Sequence, residues 1–452
     1  MQALQENKMG VKPVPSLVLS MSFPIMLSML VQALYNIVDS LFVSHYGQTA
    51  LTAVSLSFPL QNLLISVSLG TSIGVNSLLS RKLGAKDSTS ANKAAGNGLS
   101  LALISWAGFA LLGLLFSRTF IGFFSEDPNL IAMGSQYIGI CLFFSLGIFI
   151  DITCERILQG TGDTFHPMII QSTGAIVNII LDPILIFGLF GFPRLGVLGA
   201  AIATVFAQHV SAALAVHYLR KNKEVRLTRD SFRLEKQTVR DIYAVGLPAI
   251  IMQAIGTILT TSLNKILIGF GTAAVAVFGI YFRLQSFIFM PIFGLNSGMI
   301  PVIGYNYGAR KPERIIQAIK VGIIVSLLIM SLGFLVFTFF PQVLLGWFNA
   351  DEAMMAIGTV AMQRISLCFI SAGFCIVLGA LFQGTGDGYI SMIISITRQM
   401  IFLLPAAYLL GRFVGLDALW YSFIIAETSS LALTIYFFRR VYIRRIKTLR
   451  TA

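Results

Sequence analysis

The sequence predicts an all-α integral membrane protein of twelve transmembrane helices in two pseudo-symmetric six-helix bundles, and three observations predict it. Of 452 residues, 56% are hydrophobic and only 11% charged, whereas a soluble domain needs about a quarter charged residues to wet its surface. The apolar runs are each long enough for a helix, which needs about 20 residues per span. They lack the alternation of barrel strands. Finally, a polar linker from Arg220 to Arg240 divides the runs six and six, and the two halves repeat one another at a fixed offset of 224 residues.

The first run, 16–44, follows Lys8 and Lys12 and continues past any signal-peptide core, so it is expected to be a retained helix. After the turn at Gly47 comes 51–80, and the basic segment 81–93 leads into 94–117. Glu126-Asp127-Pro128 precedes 130–157; Gln159-Gly160-Thr161-Gly162-Asp163 separates it from 164–190; Gly191-Phe192-Pro193 precedes 194–219. The second half repeats the order with 241–268, 273–304, 316–339, 354–382, 389–412 and 416–438. The expected domains are therefore 1–219, a linker 220–240, and 241–452 with a basic tail.

The repeat is carried by identities in a gap-free register. Pro24 matches Pro248, Gly47 matches Gly271, Phe58 matches Phe282, and Leu60-Gln61 matches Leu284-Gln285. Gly70 and Gly74 match Gly294 and Gly298, and Gly84-Ala85 matches Gly308-Ala309. Gln159 to Asp163 reappears letter for letter as Gln383-Gly384-Thr385-Gly386-Asp387. Six helices per half is an even number, so both copies insert with the same orientation. Such parallel repeats place a substrate between them and suit alternating access.

The net charge of +13 does not point to nucleic acid. Of the 32 basic residues, 24 fall in the N-terminal tail, 81–93, 220–240, 310–320 and the tail after Phe438. This is the excess of Lys and Arg that keeps loops in the cytoplasm. It predicts a multi-pass protein of the inner (plasma) membrane with both termini cytoplasmic. Cys141, Cys154, Cys368 and Cys375 all lie inside apolar runs, without disulfide or zinc spacing. The four histidines are scattered, and no hydrolase or metalloprotease motif appears. An enzyme is therefore not expected. The QGTGD segments lack the lysine and the preceding strand of a phosphate loop and read as structural turns, glycine supplying the turn and Asp capping the next helix.

Ionisable residues inside spans are costly and are candidates for function. The first half carries Asp39, Asp151, Glu155, Asp182 and Arg156; the second carries Lys265, Arg283, Arg364, Arg398 and Glu427. The acidic excess of the first half favours a coupling cation there. Asp39 shares a helix stripe with Gln32, Tyr35 and Asn36, and Asn178 and Asp182 are four apart on one helix face. Asp39 lies 22 residues beyond Leu17 and Asp182 lies 18 beyond Thr164. At about 1.5 Å per residue, both reach similar heights. Pro183 deprives the Ile179 carbonyl of its helical partner. An oxygen-rich site for sodium results, or, if the carboxylates are desolvated, one for a proton. Asp151 and Glu155 are near Arg156 in sequence and are equally explained as its partners, and Arg398 and Glu427 are expected to pair. Met26, Met29, Met252 and Met290 are candidates to line a cavity for flat or cationic molecules.

With the early Pro24 and Asp39, the stretch from Gly47 to Asp87 and both QGTGD turns, the chain resembles the MATE (multidrug and toxic compound extrusion) family over almost its whole length. The resemblance implies two six-helix bundles around a V-shaped cleft and cation-coupled export, by Na+ or H+, of drug-like molecules by a monomer without a cofactor. It implies a cation site at Asp39, Asn178, Asp182 and Thr204, and it places Gln32 and Tyr35 on the substrate path. Carboxylates that some members carry in helices 7 and 10 are replaced here by Lys265 and Arg364. This leaves coupling to the first half and admits zwitterionic as well as cationic substrates. Arg283, with Arg364 and Arg398, keeps open the alternative of a flippase for a lipid-linked precursor in the same superfamily.

Overall fold

The computed structural model of the chain describes residues 7–450, with the side chains at 36, 37, 39–41, 44 and 450 outside that description. Every regular element among the described residues is helical. In chain order the long helices are α1 (Val14–Tyr46), α2 (Gln48–Gly84), α3 (Ser88–Gly122), α4 (Pro128–Phe143), α5 (Leu146–Gly160), α6 (Phe165–Phe187) and α7 (Val197–Lys221). They continue with α8 (Lys236–Leu267), α9 (Thr272–Gly308), α10 (Pro312–Phe339), α11 (Glu352–Ser366), α12 (Phe369–Gly384), α13 (Gly388–Phe413) and α14 (Ser422–Val441). Among the described residues, ten helices are long and apolar enough to cross a membrane, and the pairs α4–α5 and α11–α12 each pass the same test as one bent span, bringing the total to twelve. The bends, 45° and 48°, are absent from the sequence reading, which gives each pair as one continuous run.

The duplication is visible in the backbone. Lys86 and Arg310, 224 positions apart, both adopt a left-handed conformation, with φ of 59° and 55°. The two QGTGD turns close identically. Gly162 and Gly386 take φ of 99° and 91°; the amide of each donates back to the carbonyl of Gln159 or Gln383, and that of the next Asp to Leu158 or Phe382. This is a glycine-terminated helix end that satisfies otherwise orphaned carbonyls, and it accounts for the repeated motif as a structural turn.

The chain forms two compact units, Leu27–Ile250 and Met1–Met26 with Ile251–Ala452. This boundary differs from the sequence division at 220–240. The reason lies in four glycines. In the first unit, Gly70 and Gly74 of α2 lie against Ile242, Gly246 and Ile250 of α8. In the other, Gly294 and Gly298 of α9 lie against Ser22, Ile25 and Met26 of α1. Small residues four apart let helix backbones approach closely in a membrane. Each unit thus takes the opening segment of a helix from the other half of the sequence. The linker is also ordered on the first unit: Asn97 Nδ2 of α3 donates to the carbonyls of Ser231 and Arg233 at 3.0 Å, and Asn97 Oδ1 accepts from the Glu235 amide at 2.9 Å.

Candidate cation and substrate site

Helices α6 and α7 position the acidic site of the first unit. Their contact is set by small residues: Gly199 backs onto the Leu185 carbonyl and Gly174 onto the Ser211 hydroxyl. One turn beyond Gly174 is Asn178, and seven residues before Ser211 on the same face of α7 is Thr204. Here Asn178 meets both Asp182 and Thr204. Asp182 is fully buried and Asn178 nearly so. The hydrogen-bond network fixes the amide orientation. Turned to suit its neighbours, Asn178 donates its NH2 to Asp182 Oδ2 at 2.8 Å and accepts from the Thr204 amide at 3.1 Å. In the opposite orientation its NH2 faces the Thr204 hydroxyl at 3.4 Å. Asp182 immediately precedes Pro183, which lies inside α6.

On α1, Gln32 is tied to this helix pair: its Oε1 accepts from Gln171 Nε2 at 3.3 Å. Gln171 is a site neighbour that sequence reading missed, though it sits seven residues before Asn178 on the same face of α6. Tyr35 is half-buried one turn beyond Gln32. Asp39 and Asn36 lie on α1, but their side chains fall outside the described residues. Met29 belongs to this unit, whereas Met26, Met252, Met290 and Arg283 belong to the other. The four methionines are half-buried and Arg283 is exposed.

The remaining intramembrane charges are distributed unevenly between partners. Arg398 and Glu427 form the expected pair at 3.2 Å. Arg364 donates to the Asp417 carbonyl and lies over the Tyr421 ring at 4.8 Å. The Arg156 guanidinium donates to Gln159 Oε1 at 2.9 Å, and no ion pair among the described residues joins it to Asp151 or Glu155. A guanidinium one position from Glu155 points to a different side of the helix. Asp163 caps the next helix through the His166 amide at 3.2 Å, whereas its repeat partner Asp387 is held by Arg445 of the basic tail at 2.8 Å.

The chain matches the family model MatE twice, over residues 24–184 and 248–409, so the starts of the two matches are separated by the repeat offset. It is 27% identical to an FAD transporter of Shewanella oneidensis over 90% of both chains. It is 27% identical to the probable multidrug resistance protein NorM of Thermotoga maritima over 96% of this chain and 95% of that one. The multidrug export protein MepA of Staphylococcus aureus is 27% identical over 92% and 91%. Among solved structures, a MOP superfamily transporter from Pyrococcus furiosus superposes with a TM-score of 0.91 at 26% identity, covering all of both chains. An outward-facing multidrug resistance MATE family transporter superposes with a TM-score of 0.90 at 26% identity over 99% of both. Twelve apolar spans, a doubled family match and full-length likeness to these transporters agree with the resemblance read from Asp39 and the paired QGTGD turns: the chain belongs to the MatE family.

Proposed function

We propose that the protein is a secondary active exporter of small drug-like organic molecules, cationic or zwitterionic, driven by a cation that binds at Asp182, Asn178 and Thr204, with Asp39 as a further ligand. The observation that carries this reading is the buried Asp182 carboxylate against the Asn178 amide, which in turn meets Thr204. The carboxylate, the Asn178 Oδ1, the Thr204 Oγ1 and the Ile179 carbonyl freed by Pro183 are hard oxygen donors, a set that fits sodium. The same carboxylate also accepts a proton. The Asn178 NH2 donates to Asp182 and so stands where positive charge is wanted. Cation entry turns the amide, presents its oxygen, and breaks its bond to the Thr204 amide. A ligand that favours one arrangement of α6 and α7 shifts the balance between conformations, and substrate affinity shifts with it. Relatives named as multidrug exporters support the substrate class.

The site functions within a monomer in the plasma membrane, both termini facing the cytoplasm, and needs no cofactor beyond the coupling ion. The flippase reading rests on Arg283, Arg364 and Arg398. Arg364 and Arg398 are engaged by Asp417 and Glu427, leaving Arg283 as the exposed member of that set. In everted membrane vesicles, imposed sodium or proton gradients should drive uptake of a fluorescent organic cation by the wild type. Asp182→Asn should abolish that uptake while inserting normally; full gradient-driven uptake by the variant would refute the assignment.

A further inference from the structure

The linker between the two halves of the sequence is seated on the first unit at several points, most of them on α3. Asn222 Nδ2 donates to the Thr161 hydroxyl of the first QGTGD turn at 2.9 Å, and the Arg226 amide donates to Asn92 Oδ1 at 2.9 Å. One turn further along α3, Gly96 lies against the Ser231 backbone, where a Cβ would come within 2.3 Å of the carbonyl oxygen. Asn97 then binds the backbone of Ser231, Arg233 and Glu235, and the Ser100 hydroxyl donates to the Phe232 carbonyl at 2.8 Å. A short 3-10 turn over Arg229–Phe232, closed by the Thr228 and Ser231 hydroxyls at 3.1 Å, completes the seat.

With so much of its backbone taken up in this way, the linker leaves its charges outside. All eight basic residues from Arg220 to Arg240 are exposed, and among the described residues no hydrogen bond or ion pair engages their side chains. Three acidic residues share the segment, so it carries 8 − 3 = +5. One of the three, Glu235, is engaged by Lys93 of α3 at 3.3 Å.

Two large apolar side chains are exposed among these charges, Phe232 at 40% and Leu234 at 48%. Their depth is set by Ser100, which lies six residues inside the apolar run that begins at 94. Leu103 and Ile104 are the first exposed large apolar side chains of α3. At about 1.5 Å per residue they lie roughly 5 Å beyond Ser100 along the helix. The bond from Ser100 therefore holds Phe232 at the rim of the lipid-facing surface. The repeat positions of Phe232, Arg233 and Leu234 are Lys8, Met9 and Gly10, of which Met9 is fully buried. The outward apolar pair is thus a property of the linker and not of the repeat.

We propose that the linker is an interfacial anchor for anionic phospholipid, with Arg229, Arg233 and Lys236 binding phosphate headgroups and Phe232 and Leu234 entering the acyl region beside Leu103 and Ile104. Basic residues interleaved with exposed apolar ones are the composition of segments that lie in a membrane interface. Each base near an anionic surface adds to the attraction. An acidic partner from solution would reach the charges, but the apolar pair lies beside side chains that belong to lipid. The anchor depends on α3 crossing a bilayer and not on the cation site.

The test uses the full-length protein in lipid nanodiscs, with a fluorophore attached at Asp230→Cys, an exposed position of the linker. Cys141, Cys154 and Cys368 are buried, and wild type treated with the same reagent supplies the background. Quenching is titrated with phosphatidylglycerol or phosphatidylcholine brominated on the acyl chain, which gives the relative binding constants of the two lipids at the linker. Phosphatidylglycerol should be preferred by about fivefold or more, the worth of one basic residue at an anionic surface. Arg229→Gln with Arg233→Gln and Lys236→Gln should abolish the preference. Phe232→Ser with Leu234→Ser should reduce quenching by either lipid. Both sets keep the bonds from Asn97 and Ser100, which go to the backbone. Soluble glycerol phosphate at equal ionic strength should leave the preference unchanged. Equal binding of the two lipids without these substitutions, or loss of the preference to glycerol phosphate, overturns the proposal. So does a label open to aqueous acrylamide and unquenched by either lipid, which would place the linker in water, free for a soluble acidic partner.

Discussion

The Arg398–Glu427 pair is the residue whose energetics are simplest to probe. Glu427 is 5% exposed, and its carboxylate is held by a half-buried guanidinium at 3.2 Å. Removing one partner of a buried pair leaves an uncompensated charge, at a cost of about 3–5 kcal/mol, whereas removing both can be nearly neutral. Arg398→Ala should therefore lower the melting temperature of detergent-solubilised protein markedly, and Arg398→Ala with Glu427→Ala should recover most of the loss. A double variant no more stable than the single would contradict this. Asp87 offers a second probe at the membrane surface. Hydrogen bonds from the Ser90 side chain and amide hold its carboxyl below the ordinary value of 3.8. The stabilisation is complete above that ordinary value and is lost as the pH falls through the lower folded one. Asp87→Ala should cost about 1 kcal/mol at neutral pH, the usual worth of a helix cap, and its deficit against wild type should vanish in strong acid.

At the scale of the helix, much of the structure was legible because a span declares itself by composition. All twelve runs correspond to helices or bent pairs, and the QGTGD turns are the structural turns that their glycines imply. The bends within the fourth and tenth spans were not legible. Neither Phe144-Ser145 nor Leu367-Cys368 carries a proline or glycine, so hydropathy reads straight through them. The role of Gly70, Gly74, Gly294 and Gly298 was half legible. Their repetition showed that they mattered, but only the fold reveals that they seat segments near Gly246 and Ser22. A Cβ at Gly298 would lie 2.7 Å from the Ser22 Cα, whereas one at Gly108 would meet nothing within 4 Å. Gly298→Val should thus destabilise the protein by about 1–3 kcal/mol, the range for overpacking, and Gly108→Val by much less. Equal melting temperatures for the two variants would refute this reading of the glycine face.

At the scale of the whole molecule, the duplication is symmetric in backbone and asymmetric in charge. The positions equivalent to Asp39, Asn178 and Asp182 are Leu263, Phe402 and Ala406, none of which can hold a cation by its side chain. The acidic site was legible because four-residue spacing puts Asn178 and Asp182 on one face and because buried carboxylates are expensive. What spacing could not reveal was the geometry across helices: the bond of Gln32 to Gln171, the amide of Asn178 between Asp182 and Thr204, and the diversion of Arg156 to Gln159. These depend on how helices distant in sequence are packed. The proposed function rests on this asymmetry: it assigns cation binding to the first unit, where the carboxylates lie.

That account is tested most directly by coupling between the two ligands. Affinity of the purified protein for a fluorescent organic cation is measured with and without saturating sodium, and at acid and neutral pH, for wild type and Asp182→Asn. Wild type should bind the organic cation more weakly, by about 5- to 150-fold, when the coupling cation is present, the range of typical allosteric coupling. In Asp182→Asn the two affinities should be equal. If that variant, folded and able to bind the organic cation, still shows the full wild-type shift, Asp182 is not the coupling site and the central claim fails.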